Sequence, residues 1–203
     1  ELKEIAKIMF EKRISYLPVV KDDEMVGLVT LADVVWKGIA NLNLNDPIKP
    51  HVIREITAVW EKTPISVAYI ISRLAKTQAL TVLNDNGVLT GIITDSDILE
   101  KSEVITEEKT SNMQAASEGS EWDWDTASIL YITKKVLKLP TEPVSETMIR
   151  DVITVVEQTS ISECAAKMKK YDIDQMPVLN ATGELVGMIR DVDLLKPIIA
   201  QKN

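Results

Sequence analysis

The chain has 203 residues and a mass of 22.6 kDa, with 45% hydrophobic and 27% charged residues, enough to bury one sizeable core or two small ones and too apolar for disorder to dominate. Its formal net charge of −8 lacks the basic footprint whose counterion release drives nucleic-acid binding. No apolar run approaches the roughly 18–20 residues of a membrane span, and the start of the chain has neither the apolar core nor the cleavage site of a secretory signal, so a cytoplasmic location is expected.

The single cysteine, Cys164, excludes an internal disulfide and a cysteine-built metal cage, and the single histidine, His51, leaves no second imidazole for zinc. Histidine-assisted nucleophilic catalysis would have to pass through His51, which lies beside Pro47 and Pro50 and reads as a solvated linker residue. With no Gly-rich phosphate loop of the GxxxxGK[ST] type either, neither an enzyme nor a cofactor or metal is expected. Cys164 falls on the apolar stripe of its segment and reads as a packing residue.

In chain order, residues 1–46 read as a helix from Leu2, a hairpin of 17–20 with 25–29, and a second helix near Asp33. Residues 47–101 repeat this order behind a leading strand at 55–59, with a helix from Ile65, a hairpin of 80–83 with 88–93, and a helix near Asp97. Residues 102–140 read as an acidic linker plus a helix. Positions 101–127 hold seven acidic residues against two lysines, so five of the eight excess negative charges lie there, and the segment reads as a mobile loop. Trp122 and Trp124 follow, expected to dock on the protein's own surface, and 126–139 supports a helix with Ile129, Ile132, Val136 and Leu139 on one side. Residues 141–203 give the third copy: a strand at 151–155, a helix from Ile161 capped by Ser160 with Glu163 as its capping-box partner, a hairpin around 180–183, and a helix near Asp193.

The copies hold register. Leu2 to Pro18, Ile65 to Thr81 and Ile161 to Pro177 are each separated by sixteen positions, and a glycine opens the second hairpin strand at Gly27, Gly91 and Gly187. The phrases 11–20 and 170–179, together with Gly-apolar-apolar-Thr-x-x-Asp after the hairpin, resemble the CBS domain, named after cystathionine β-synthase, over about 160 residues. The organisation is similar to archaeal multi-CBS proteins and to the gamma subunit of AMP-activated kinase. The resemblance implies an α+β fold of tandem CBS repeats (strand-helix-hairpin-helix) paired into Bateman-type modules, with adenosine-ligand sites in the crevices between paired repeats.

Thr30 with Asp33 and Thr94 with Asp97 each place a hydroxyl at a strand end and a carboxylate at a helix start. Such a carboxylate can accept both hydroxyls of a ribose, with helix N–H groups facing the phosphate side. The same pattern is also a plain helix cap. In the third copy Arg190 replaces the threonine while Asp193 is kept. A guanidinium there opposes the helix dipole yet suits a phosphate, and it reads equally as a clamp or as a structural residue. The resemblance assigns Thr30, Asp33, Thr94, Asp97, Arg190 and Asp193 to ribose and phosphate, and Tyr16, Pro18, Ala79, Thr154, Gln175 and Pro177 to the adenine side. Thr81 and Ala58, where the third copy has Pro177 and Thr154, imply an altered adenine wall in the second.

The implied function is non-catalytic: a regulatory module that binds AMP, ADP or ATP and passes occupancy to an effector protein as an energy or metabolite sensor. The alternatives are a ligand-free assembly scaffold and a sensor of S-adenosylmethionine or methylthioadenosine. Since such repeats pair through their sheets, three copies leave one apolar face to be covered, so a homodimer or association with another CBS repeat is expected. The resemblance implies a longer connection inside a pair than between pairs, so the long route from Asp97 to the strand at Asp151 makes repeats 2 and 3 the expected module. Repeat 1, whose sequence starts inside a helix, then belongs with a repeat upstream of it. The alternative pairs repeats 1 and 2 and leaves repeat 3 to dimerise with its copy in another chain.

Overall fold

The computed structural model describes residues 1–113 and 128–200. Repeat 1 begins with α1 (Leu2–Lys12) and a hairpin of β1 (Tyr16–Lys21) and β2 (Glu24–Thr30). Its two-residue turn, Asp22-Asp23, has both residues at positive φ, the geometry that matches the twist of the flanking strands. Helix α2 (Leu31–Asp33) runs on as a π-helical turn (Val34–Gly38) and a 3-10 turn (Ile39–Asn41). Repeat 2 comprises β3 (Ala58–Trp60), α3 (Ile65–Ala75), β4 (Ala79–Leu83), β5 (Leu89–Thr94) and α4 (Asp95–Glu100). A ribbon of β6 (Glu103–Met113) and β7 (Ser128–Lys138) follows. Repeat 3 comprises β8 (Val155–Val156), α5 (Ile161–Tyr171), β9 (Gln175–Leu179), β10 (Leu185–Arg190), a 3-10 turn (Asp191–Leu194) and α6 (Leu195–Ala200). The helices α1, α3 and α5 each stop on a left-handed residue, Arg13, Lys76 and Asp172, all at φ 54°.

Three local expectations change. The segment 126–139 contains a strand where a helix was expected: β7 pairs antiparallel with β6 from Glu103↔Lys138 to Met113↔Ser128. Three of the residues spaced for a helical stripe, Ile129, Ile132 and Val136, are themselves β-branched and stand beside Tyr131 and Thr133, and such residues favour a pleated surface once a partner strand is present. That partner is the first half of what read as a mobile loop; Trp122 and Trp124 lie outside the described residues. The leading strands are also shorter than 55–59 and 151–155. The parallel ladder begins only at Ala58↔Thr81 and Val155↔Val178, which leaves Glu55 to Thr57 free to line the larger crevice described below. Ser160 does cap α5, accepting the Glu163 N–H at 3.2 Å, while the Glu163 carboxylate turns to Lys167 at 3.6 Å.

Repeats 2 and 3 pair by a reciprocal exchange. The segment before repeat 2 adds to the last strand of repeat 3, with Ile53 and Met188 trading both backbone hydrogen bonds at 2.8 and 2.9 Å. The segment before repeat 3 does the same to repeat 2, Ile149 with Ile92 at 2.8 and 3.0 Å. Between the two sheets Ala79, Ile92 and Met188 form a small core with Ile56 and Val152. Repeats 2 and 3 are thus one unit within the chain, as the connection lengths predict.

Repeat 1 meets this unit through helices. Ala6, Met9, Val34, Val35 and Ile39 share one core with Cys164, Ala165, Met168, Leu195 and Ile198 of repeat 3, joined by Ile48 of the connecting segment. Burial of the Cys164 thiol pushes its pKa up to about 12, so it is a packing residue without thiolate character. The sheet of repeat 1 stays open. Val19 is 41% exposed where its counterparts Val82 and Val178 are fully buried, and Leu28 is 53% exposed against 9% for Ile92 and 7% for Met188.

Candidate ligand crevices

The exchange between repeats 2 and 3 creates two crevices. In each, the end of one repeat's last strand faces the helix-to-strand turn of the other. The larger, about 950 Å³, holds Arg190 to Asp193, Asp174 and Gln175 of repeat 3. Glu55 to Thr57 and Ala75 to Ala79 of repeat 2 form its opposite wall. Repeat 1 closes one side with Phe10, Arg13 and Leu31. The second, about 870 Å³, holds Thr94 to Ser96 and Gln78 of repeat 2, Asp172 to Gln175 and Asp191 of repeat 3, and Tyr16, Thr30 and Trp36 of repeat 1.

Their electrostatics differ. The first mixes the cations Arg13, Lys76, Arg190 and Lys196 with five carboxylates. Of these, Asp193 is fully buried and already held: Arg190 Nε donates to Oδ2 at 2.9 Å and Lys196 Nζ to Oδ1 at 2.9 Å. The Arg190 backbone N–H also donates to Asp193 Oδ2, at 3.3 Å. A guanidinium has no acceptor to return to the helix, so the ion pair replaces the cap that a threonine would make. His51 lies close enough to feel both Lys196 and Asp193, and burial chiefly lowers its pKa. It is therefore half-buried beside the first crevice, not a solvated linker residue.

Among the described residues, the second crevice is lined by Asp95, Asp172, Asp174 and Asp191 and by no lysine or arginine. Burial raises the Asp191 pKa to about 6, a shift that the Val192 N–H opposes and the nearby Asp174 adds to. In both Thr-x-x-Asp phrases the side chains close on each other as capping boxes. Thr94 Oγ1 donates to Asp97 Oδ2 at 2.7 Å and accepts the Asp97 N–H at 3.3 Å; Thr30 and Asp33 do the same at 2.8 and 3.0 Å. A salt bridge to Lys37 at 2.7 Å and the Thr30 hydrogen bonds lower the Asp33 pKa to about 2.

Of the residues expected at a site, Arg190, Asp193, Ala79 and Gln175 line the first crevice, and Thr94, Thr30, Tyr16 and again Gln175 the second. Asp33, Asp97, Pro18, Pro177 and Thr154 line neither. Pro18 and Pro177 sit within the hairpin ladders, opposite Leu28 and Met188. Gln78, Asp174, Asp191 and Lys196 were missed. Gln78 and Asp174 occupy equivalent positions at the ends of the helix-to-strand phrases, and that equivalence could have flagged them.

The family model of the CBS domain matches residues 1–37, 49–103 and 144–200. An uncharacterised conserved protein from Pyrococcus horikoshii superposes with a TM-score of 0.72 at 31% identity, covering 97% of this chain and 75% of its own. MJ1225 from Methanocaldococcus jannaschii, whose description likens it to g-AMPK, gives 0.67 at 21%, covering 97% and 64%. The CBS domain pair of MJ0100, solved in complex with 5′-methylthioadenosine and S-adenosyl-L-methionine, gives 0.53 at 22%, covering 77% and 98%. The chain spans 32% of the curated relative MJ1232 and 63% of MJ1225. Among the described residues no helix is long and apolar enough to cross a membrane.

Proposed function

The chain belongs to the CBS-domain family, and from that premise we propose that it is a non-catalytic regulatory module that binds an adenosine-containing ligand between repeats 2 and 3 and passes occupancy to an effector protein. The observation that carries this reading is the pair of crevices, each bringing a strand-end phrase of one repeat to the helix-to-strand turn of its partner. Pockets of this size built where two repeats meet are the usual place for a small ligand. The relative MJ0100 takes adenosine compounds on a paired-repeat fold.

The charges divide the ligand classes. AMP, ADP or ATP suits the first crevice, where Arg190 and Lys196 can turn from Asp193 to a phosphate and where Arg13 and Lys76 add charge from the other two repeats. The second crevice, with four carboxylates and no cation among the described residues, suits an uncharged or sulfonium-bearing adenosine such as methylthioadenosine or S-adenosylmethionine. The closed capping boxes at Asp33 and Asp97 favour the scaffold alternative, in which these phrases are helix caps alone.

Calorimetric titration with AMP, ADP, ATP, methylthioadenosine and S-adenosylmethionine distinguishes these readings. Binding of nucleotides is expected to weaken in Arg190→Ala by about 1.5–3 kcal/mol, the range for hydrogen bonds to a charged group, and to weaken further as salt rises. Binding of methylthioadenosine is expected to survive that substitution. Asp97→Ala should lose about 1 kcal/mol of stability through the cap, with an added loss of affinity if its carboxylate reaches the ribose. No heat with any of the five ligands at millimolar concentration would leave the scaffold.

A further inference from the structure

The ribbon of β6 and β7 stands apart from the rest of the fold. Among the described residues, none of the ribbon's belongs to any of the three cores, and its long strands pair with each other alone. A two-stranded ribbon is marginal in water without a surface to lie on. Directly opposed residues share a face, so one face carries the pairs Glu103↔Lys138, Ile105↔Val136 and Glu107↔Lys134. Over these three rungs the acids are on β6 and the bases on β7, with a half-buried apolar pair between the charged rungs; the next pair on that face is Lys109↔Ile132. Glu103 and Lys138 are 4.0 Å apart and mostly exposed, so their charge is available to another surface.

This segregation fits one occupant, a second copy of the same ribbon. A twofold axis running along the strands turns one ribbon over onto the other, exchanges left and right, and keeps height. The acidic strand of each copy then covers the basic strand of the other. Glu107 meets the partner's Lys134, Glu103 meets the partner's Lys138, and Ile105 lies over the partner's Val136. The opposite symmetry, with the axis across the strands, would stack acid on acid. We propose that the β6–β7 ribbon is a homodimerisation arm, its Glu103–Glu107 face packed on the same face of a second chain.

Glu107→Lys and Lys134→Glu, prepared separately in the full chain, test it by sedimentation equilibrium, with circular dichroism to confirm folding. Wild type is expected to dimerise more weakly as salt rises. Each single variant places like charges at two symmetry-related contacts and should raise the dimer Kd about tenfold or more. Mixing the two variants restores both contacts with opposite sign, so a mixed dimer of near wild-type affinity should form. A role confined to pairing within one ribbon would be rescued by the double variant but not by mixing. A monomeric wild type, single variants that dimerise normally, or a mixture that gains no dimer would each overturn the proposal.

Discussion

Gly187→Ala is expected to lower the stability of the unit formed by repeats 2 and 3 by about 1–3 kcal/mol, the usual cost of overpacking a filled site. A Cβ at Gly187 would stand 2.5 Å from the Ile53 carbonyl oxygen. That backbone cannot retreat without stretching the two hydrogen bonds it exchanges with Met188, at 2.8 and 2.9 Å. Gly91→Ala should cost less. Its Cβ meets the flexible Met148 side chain first and the Ile149 carbonyl oxygen at 3.1 Å, and a thioether chain can move aside. Gly27→Ala should stay within about 0.5 kcal/mol of wild type, because the nearest atom is Val19 Cβ at 4.0 Å. Urea unfolding of the three variants gives the ranking. An equal loss at Gly27 and Gly187 would mean that the sheet of repeat 1 is covered as fully as the other two.

These glycines also show what kind of information the sequence carried. Their spacing, with the sixteen-residue interval before each hairpin, was legible because one supersecondary unit recurs, and a repeated unit must bury the same stripe each time. The pairing of repeats 2 and 3 followed from connection length read through the resemblance to multi-CBS proteins, in which the longer connection lies inside a pair. The ribbon was not legible. A strand pair with no core beneath it leaves no alternation for a periodicity argument to find, and the spacing of Ile129, Ile132 and Val136 imitates a helical stripe. At the crevices, the phrases at Thr94 and Arg190 could be found because they mark strand ends. Asp97 and Asp33 fell away from the crevice linings because each carboxylate folds back onto its own threonine. Asp191 was passed over because its neighbour in the phrase, Asp193, matched the expected pattern. Burial in the folded chain, with the approach of Asp174 and Asp193, is what singles Asp191 out.

Asp191 gives the second large effect. Burial raises its carboxyl from 3.8 to about 6, with the Asp174 and Asp193 charges adding to the rise and the Val192 N–H and Arg190 working against it. Below the unfolded value both states are protonated and the residue contributes no pH dependence. As pH rises between the two values, the unfolded chain releases its proton while the folded one holds it, so stability falls. Above about 6 the whole cost is present, up to about 3 kcal/mol for a shift of this size. Asp191→Asn removes that cost and keeps an oxygen to accept the Val192 N–H, which reaches Asp191 Oδ1 at 2.6 Å. The variant should therefore be more stable than wild type at about pH 7–8, with the gain shrinking to nothing near pH 4. Thermal unfolding across that range measures it. A gain that persists unchanged at about pH 4 would show that the amide stabilises by packing and that the carboxyl titrates normally. If wild type instead grows more stable between about pH 4 and 7 relative to the variant, Asp191 is held as a charged partner of Arg190, and the crevice it borders is less acidic than its lining indicates.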